Sequence, residues 1–134
     1  MKLVFKTLVI ACMALAVNTT SFAGIKVDKV IKEAREAVET ASPDDWHTFA
    51  EAAEKCIDKG VNMKEAAMWI KQSVQIKESS YNMRVLGDYY AANRLPQKAV
   101  DAYSKSIRIG KLHNRAYADK ETQDKVVALI KQLG

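Results

Sequence analysis

Few residues in this chain have the type and spacing to do chemistry. The two histidines, His47 and His113, stand far apart, and neither belongs to an HExxH pair that would set two imidazoles one helical turn apart on a metal. Cys56 follows His47 by nine positions, so only the fold could assemble a thiolate–imidazole pair. A lone thiol packed as a small apolar residue is the simpler assignment. Acidic residues interleave with lysine at Asp28-Lys29, Lys32-Glu33, Glu54-Lys55 and Lys64-Glu65, the pattern of a solvated helix surface with pairs one turn apart. No glycine-rich loop is present to cradle phosphate. The expectation is a protein that is not an enzyme, with no catalytic residue, no metal site and no cofactor. The rival reading is a small exported helical enzyme or ligand-binding domain. It requires His47, Cys56 and Glu51 to converge in a cleft.

Charge and aromatics narrow the partners. The formal net charge is +5, and two of those charges, Lys2 and Lys6, sit in a leader-like segment. What remains is enough for solubility and lacks the dense basic stripe of a nucleic-acid binder. Trp46 and Trp69 fall at helical spacing and are expected in the core. Tyr89, next to Tyr90 in sequence, must face another helix or a partner.

The first residues read as an address. A positive start (Lys2, Lys6) precedes an apolar run through Val17, and Ser21-Phe22-Ala23 supplies small residues at the −3 and −1 positions of a cleavage site. The run is well short of the roughly 20 apolar residues a spanning helix needs. A signal peptide over residues 1–23 is expected, with export to the periplasm or beyond and no membrane span after cleavage. A lipoprotein anchored at Cys12 is the minority alternative, since Val9-Ile10-Ala11-Cys12 loosely resembles a lipobox but the apolar run continues past it. Loss of Cys12 with the leader leaves Cys56 alone, so no intramolecular disulfide is expected.

The remainder, residues 24–134, must position whatever the protein offers. Its apolar periodicity is helical throughout, which makes the expected class all-α. Six helices are expected. Their apolar faces are marked by Val27, Ile31 and Ala34; by Trp46, Phe49 and Ala53; by Ala66, Ile70 and Val74; by Met83, Leu86 and Tyr90; by Ala99, Tyr103 and Ile107; and by Val126, Val127, Leu129, Ile130 and Leu133. Ser42-Pro43-Asp44-Asp45 and Pro96 read as starts, Gly60 and Gly110 as stops. Links are short apart from the stretch after Lys111, and short links force antiparallel neighbours.

Shifted by 33 residues, the chain falls on itself: Ala66 on Ala99, Ser73 on Ser106, Ala50 on Met83, Ala53 on Leu86. The second copy then shows Met83, Leu86-Gly87 and Tyr90, followed by Ala99, Tyr103 and Ser106. In this array it resembles the tetratricopeptide repeat, a helical hairpin with a period near 34. The first copy carries Glu54 in place of the glycine and Ile70 in place of the aromatic. The resemblance implies a short α-α stack of antiparallel hairpins: an N-terminal helix over 24–44, repeats over 45–78 and 79–111, and a C-terminal capping helix over 112–134. It also implies a concave groove lined by the first helix of each pair. Carried over, the groove positions are Tyr81, Arg84, Asp88 and Ala91 in the second repeat and Thr48, Glu51 and Lys55 in the first. The implied function is an exported scaffold or adaptor holding a protein or peptide, with Tyr81 as a wall and Arg84 as a carboxylate partner. Asp88 would repel a terminal carboxylate, so no carboxylate clamp is expected. Two end helices able to seal the stack favour a monomer over self-association.

Overall fold

The computed structural model describes residues 20–134. The expected leader, Cys12 included, lies outside them except for Thr20–Ala23, whose backbone begins the first helix. The described residues are all-helical: α1 Thr20–Thr40, α2 Trp46–Lys59, α3 Met63–Ile76, α4 Ser80–Ala92, α5 Pro96–His113 and α6 Lys120–Leu133. None of these helices is long and apolar enough to cross a membrane.

Helix α2 packs on α3, α4 on α5, and α6 on α5, while α1 lies against α2. The three-residue links Gly60–Asn62 and Asn93–Leu95 turn each hairpin back on itself. Gly60 closes α2 in the left-handed conformation (φ 64°) and donates its N–H to the Cys56 and Ile57 carbonyls, the geometry that favours glycine after a helix. Pro96 opens α5, where a missing N–H costs no helical bond.

The starts of α2, α4 and α6 are built alike. Asp45 accepts hydrogen bonds from the Thr48 N–H (3.1 Å) and hydroxyl (2.6 Å). Asp119 does the same with Thr122, at 2.9 and 2.6 Å. Ser79 and Asn82 form a reciprocal capping box. The cap of α2 is therefore Asp45, three residues beyond the expected Ser42, whose hydroxyl donates to Asp44 instead. Gly110 is not a stop. It lies inside α5, where a Cβ would sit 2.3 Å from the Tyr117 ring, so the glycine lets the following loop fold back onto the helix.

The core lies within and between the hairpins. Phe49, Ala52, Ala53, Cys56, Trp69 and Ile70 fill the first, and Met83, Leu86, Ala102 and Tyr103 the second. Buried polar groups stitch the two together. The Ser73 hydroxyl donates to the Trp46 carbonyl (2.6 Å), and the Asn82 amide donates to Ser73 Oγ (3.0 Å) and the Lys77 carbonyl (2.7 Å). Ser106 repeats the device on the Ser80 carbonyl (2.6 Å). Arg35 ties α1 to Glu65 of α3 at 2.8 Å. Trp69 is core as expected, whereas Trp46 is half-buried under the Lys77 ammonium. In α6 only Thr122 is buried, and Val127, Ile130 and Leu133 of its expected apolar face are exposed.

Candidate functional site

The equivalent caps fix the correspondence between hairpins. Asp45 aligns with Ser79, a shift of 34 rather than 33, because α2 is one residue longer than α4. In this register Phe49 matches Met83, Ala53 matches Gly87 and Glu54 matches Asp88. The small slot of the first hairpin thus holds Ala53, and Glu54 takes a groove position. The second helices keep the shift of 33, with Ala66, Ile70 and Ser73 buried like Ala99, Tyr103 and Ser106. The one-residue difference is why Thr48, Glu51 and Lys55 miss the groove. Thr48 is held by the Asp45 cap, and Glu51 pairs with Lys55 at 3.3 Å along the side of α2.

The inner helices α2, α4 and α6 enclose an open cleft of about 540 Å³ lined by Glu54, Ile57, Asp58, Arg84, Asp88, Ala92, Asp119, Glu121 and Lys125. Of the carried-over positions, Arg84 and Asp88 line it, while Tyr81 and Ala91 do not. A continuous ionic chain crosses its floor. Tyr81 donates to Glu54 (2.6 Å), and Arg84 reaches Glu54 (2.5 Å) and Asp88 (3.0 Å). Asp88 also accepts from the Tyr103 hydroxyl (2.7 Å) and Lys125 (2.9 Å), and Lys125 pairs with Glu121 at 3.0 Å. Every helix of the inner row contributes, so the chain works as a strap as well as a surface.

This wiring changes the expected role of Arg84. Its side chain is 22% exposed and its guanidinium is already held by two carboxylates, so it is not a free partner for an incoming acid. Burial opposes its charge, but Glu54 and Asp88 outweigh that and hold its pKa up. Burial likewise works against the Glu54 anion, yet hydrogen bonds from Tyr81 and Arg84 prevail and its pKa lies below the usual carboxylate range. Burial and then the Glu54 carboxylate raise the Tyr81 phenol. Asp58 differs: burial first, then repulsion from Glu54 and Asp88, pushes its pKa up. The lining therefore gathers five carboxylates (Glu54, Asp58, Asp88, Asp119, Glu121) around two cations, an arrangement that favours a cation over an anion.

The remaining candidates lie apart. The Tyr81 ring stacks on His47 at 5.2 Å and lies 5.3 Å from the Arg84 guanidinium. Cys56 is fully buried, and burial raises its thiol pKa. An offset of nine positions along α2 sets His47 and Cys56 about 13 Å apart along the axis, so the two do not meet in a cleft. No cluster of His, Cys, Asp or Glu able to hold a metal occurs among the described residues. Tyr89 packs on the core beside Tyr90, their rings 5.6 Å apart.

Glu54, Asp58, Asp119, Glu121 and Lys125 escaped the sequence reading because each sits in an ordinary lysine–acid pattern. The signal that would have found them is the thrice-used cap spacing, Asp45-x-x-Thr48, Ser79-x-x-Asn82 and Asp119-x-x-Thr122, which sets the true register and marks α6 as a third inner helix. No family profile, no curated protein and no solved structure matches the chain.

Proposed function

We propose that this chain is an exported, non-enzymatic binding module of tetratricopeptide type that holds a lysine- or arginine-bearing segment of another protein in the cleft between α2, α4 and α6. The observation that carries the reading is the excess of carboxylates over cations around an open cleft on three successive inner helices. The resemblance of Met83 to Ser106 to the repeat supports a protein partner, and the leader-like residues 1–23 support export. A basic side chain entering the cleft meets Asp58, whose carboxylate is in no ion pair among the described residues, and Glu121, which is 76% exposed. The strap beneath fixes the floor, so little ordering is lost on binding.

The test is a titration of a fluorescent lysine-rich peptide against the purified chain at low and high salt, with an acidic peptide of equal length as control. Binding of the basic peptide alone is expected, weakening steeply as ionic strength rises. Asp58→Asn with Glu121→Gln should lower affinity about tenfold, on the order of 1.4 kcal/mol. Equal binding of both peptides, or no effect of the double substitution, would refute the reading.

A further inference from the structure

The three inner helices share more than their caps. Counting from the cap residue, positions four, seven, eight and eleven are Phe49, Ala52, Ala53 and Cys56 in α2, and Met83, Leu86, Gly87 and Tyr90 in α4. All four are buried in α2, where α3 covers them, and α5 covers those of α4. Gly87 faces the Tyr103 ring of α5, and Tyr90 carries Lys98 of α5 at 5.7 Å. In α6 the same positions are Gln123, Val126, Val127 and Ile130. No described element covers them in the way α3 and α5 cover the others, and Val127 and Ile130 remain 51% and 52% exposed. This face is distinct from the cleft, which α6 lines with Glu121 and Lys125.

The geometry points to α6 as the open half of a third hairpin, and we infer that its Val127–Ile130 face docks an amphipathic helix of another protein. The two internal hairpins show what such a helix must look like. Each covering helix places small side chains on either side of one larger residue: Ala66 and Ser73 around Ile70, Ala99 and Ser106 around Tyr103. That central residue shrinks as the one at the eighth inner position grows, since Gly87 stands in register with Tyr103 and Ala53 with Ile70. Helix α6 offers the larger, β-branched Val127. The partner helix is therefore small at its centre as well, presenting an Ala-x-x-x-Ala-x-x-Ser type of face. A tyrosine there would strike the Val127 methyls, because even a Cβ added at Gly87 would stand 2.4 Å from the Tyr103 ring.

The probe is a fluorescent peptide with the sequence of Pro96–His113, stapled between positions 97 and 101 on its solvent face so that it is helical before binding, in a Tyr103→Ala form and in the unaltered form. Fluorescence anisotropy should show the alanine form binding the intact chain at least tenfold more tightly than the tyrosine form. Val127→Glu, at an exposed position, should abolish binding while leaving the circular dichroism spectrum and the basic-peptide affinity of the cleft unchanged. Val127→Gly should reverse the preference in favour of the tyrosine form. The inference falls if the alanine form does not saturate at millimolar chain, or if Val127→Glu leaves its binding intact. It also falls if the wild-type chain does not discriminate between the two peptides, or if sedimentation finds that face closed by a second copy in a dimer that Val127→Glu disperses.

Discussion

Glu54 shows how a one-residue offset in helix length converts a surface pattern into a structural anchor. Next to Lys55 it looks like half of a solvated pair, yet it accepts from Tyr81 and Arg84 on the neighbouring hairpin. Its folded pKa lies below the unfolded value, so its contribution is complete above about pH 4.3 and fades as pH falls through the folded value. Glu54→Gln should therefore cost about 1–2 kcal/mol at pH 7, and its deficit relative to wild type should shrink towards pH 3. Urea unfolding midpoints at the two pH values measure this, and a deficit independent of pH would contradict the assignment. Gly87 is set by space. A Cβ there would sit 2.4 Å from a Tyr103 ring whose hydroxyl is held by Asp88 at 2.7 Å. Gly87→Ala should thus destabilise by about 1–3 kcal/mol, although alanine is the better helix former. Thermal unfolding reads the sign directly. The repeat pattern made Gly87 and Tyr103 legible in the sequence. Nothing local announced Gly110, since a glycine that receives Tyr117 from a later loop looks the same as one that ends a helix.

At the scale of elements, periodicity revealed all six helices, because each buries one face against a neighbour. It did not reveal their register, because a one-residue extension of α2 leaves the apolar spacing of α2 itself intact. The caps hold that information. Asp119 is the most exacting of them: α6 buries only Thr122, so the cap carries a larger share of its stability than Asp45 does for the well-packed α2. Asp119→Ala should cost about 1 kcal/mol and speed amide exchange throughout α6, whereas Asp45→Ala should alter exchange mainly in the first turn of α2. Hydrogen exchange with mass spectrometry separates the two, and equal, local responses would show that packing rather than capping holds α6. Asp119 is also one of the five carboxylates lining the cleft, so the same substitution should weaken basic-peptide binding.

For the whole molecule, the decisive feature is that the two ends of the stack differ. Helix α1 presents a mostly charged surface of Asp28, Lys32, Arg35, Glu36 and Glu39 around Ile31, with Ile25 exposed near its start. Helix α6 was expected to seal the other end and instead leaves Val127, Ile130 and Leu133 open. The sequence showed those apolar residues but not their direction, since only the packing of α5 decides which side of α6 is covered. The site was legible in part: Arg84 and Asp88 line the cleft, but its acidic character depends on Asp58, Asp119 and Glu121, drawn together from α2 and the start of α6. The thiol of Cys56, the one cysteine among the described residues and without exposed surface, gives the fold an internal clock. A maleimide cannot reach it until the first hairpin parts, so with Cys12→Ala the rate of alkylation counts opening events one molecule at a time. Any ligand that clamps the inner row should slow that count in proportion to its occupancy.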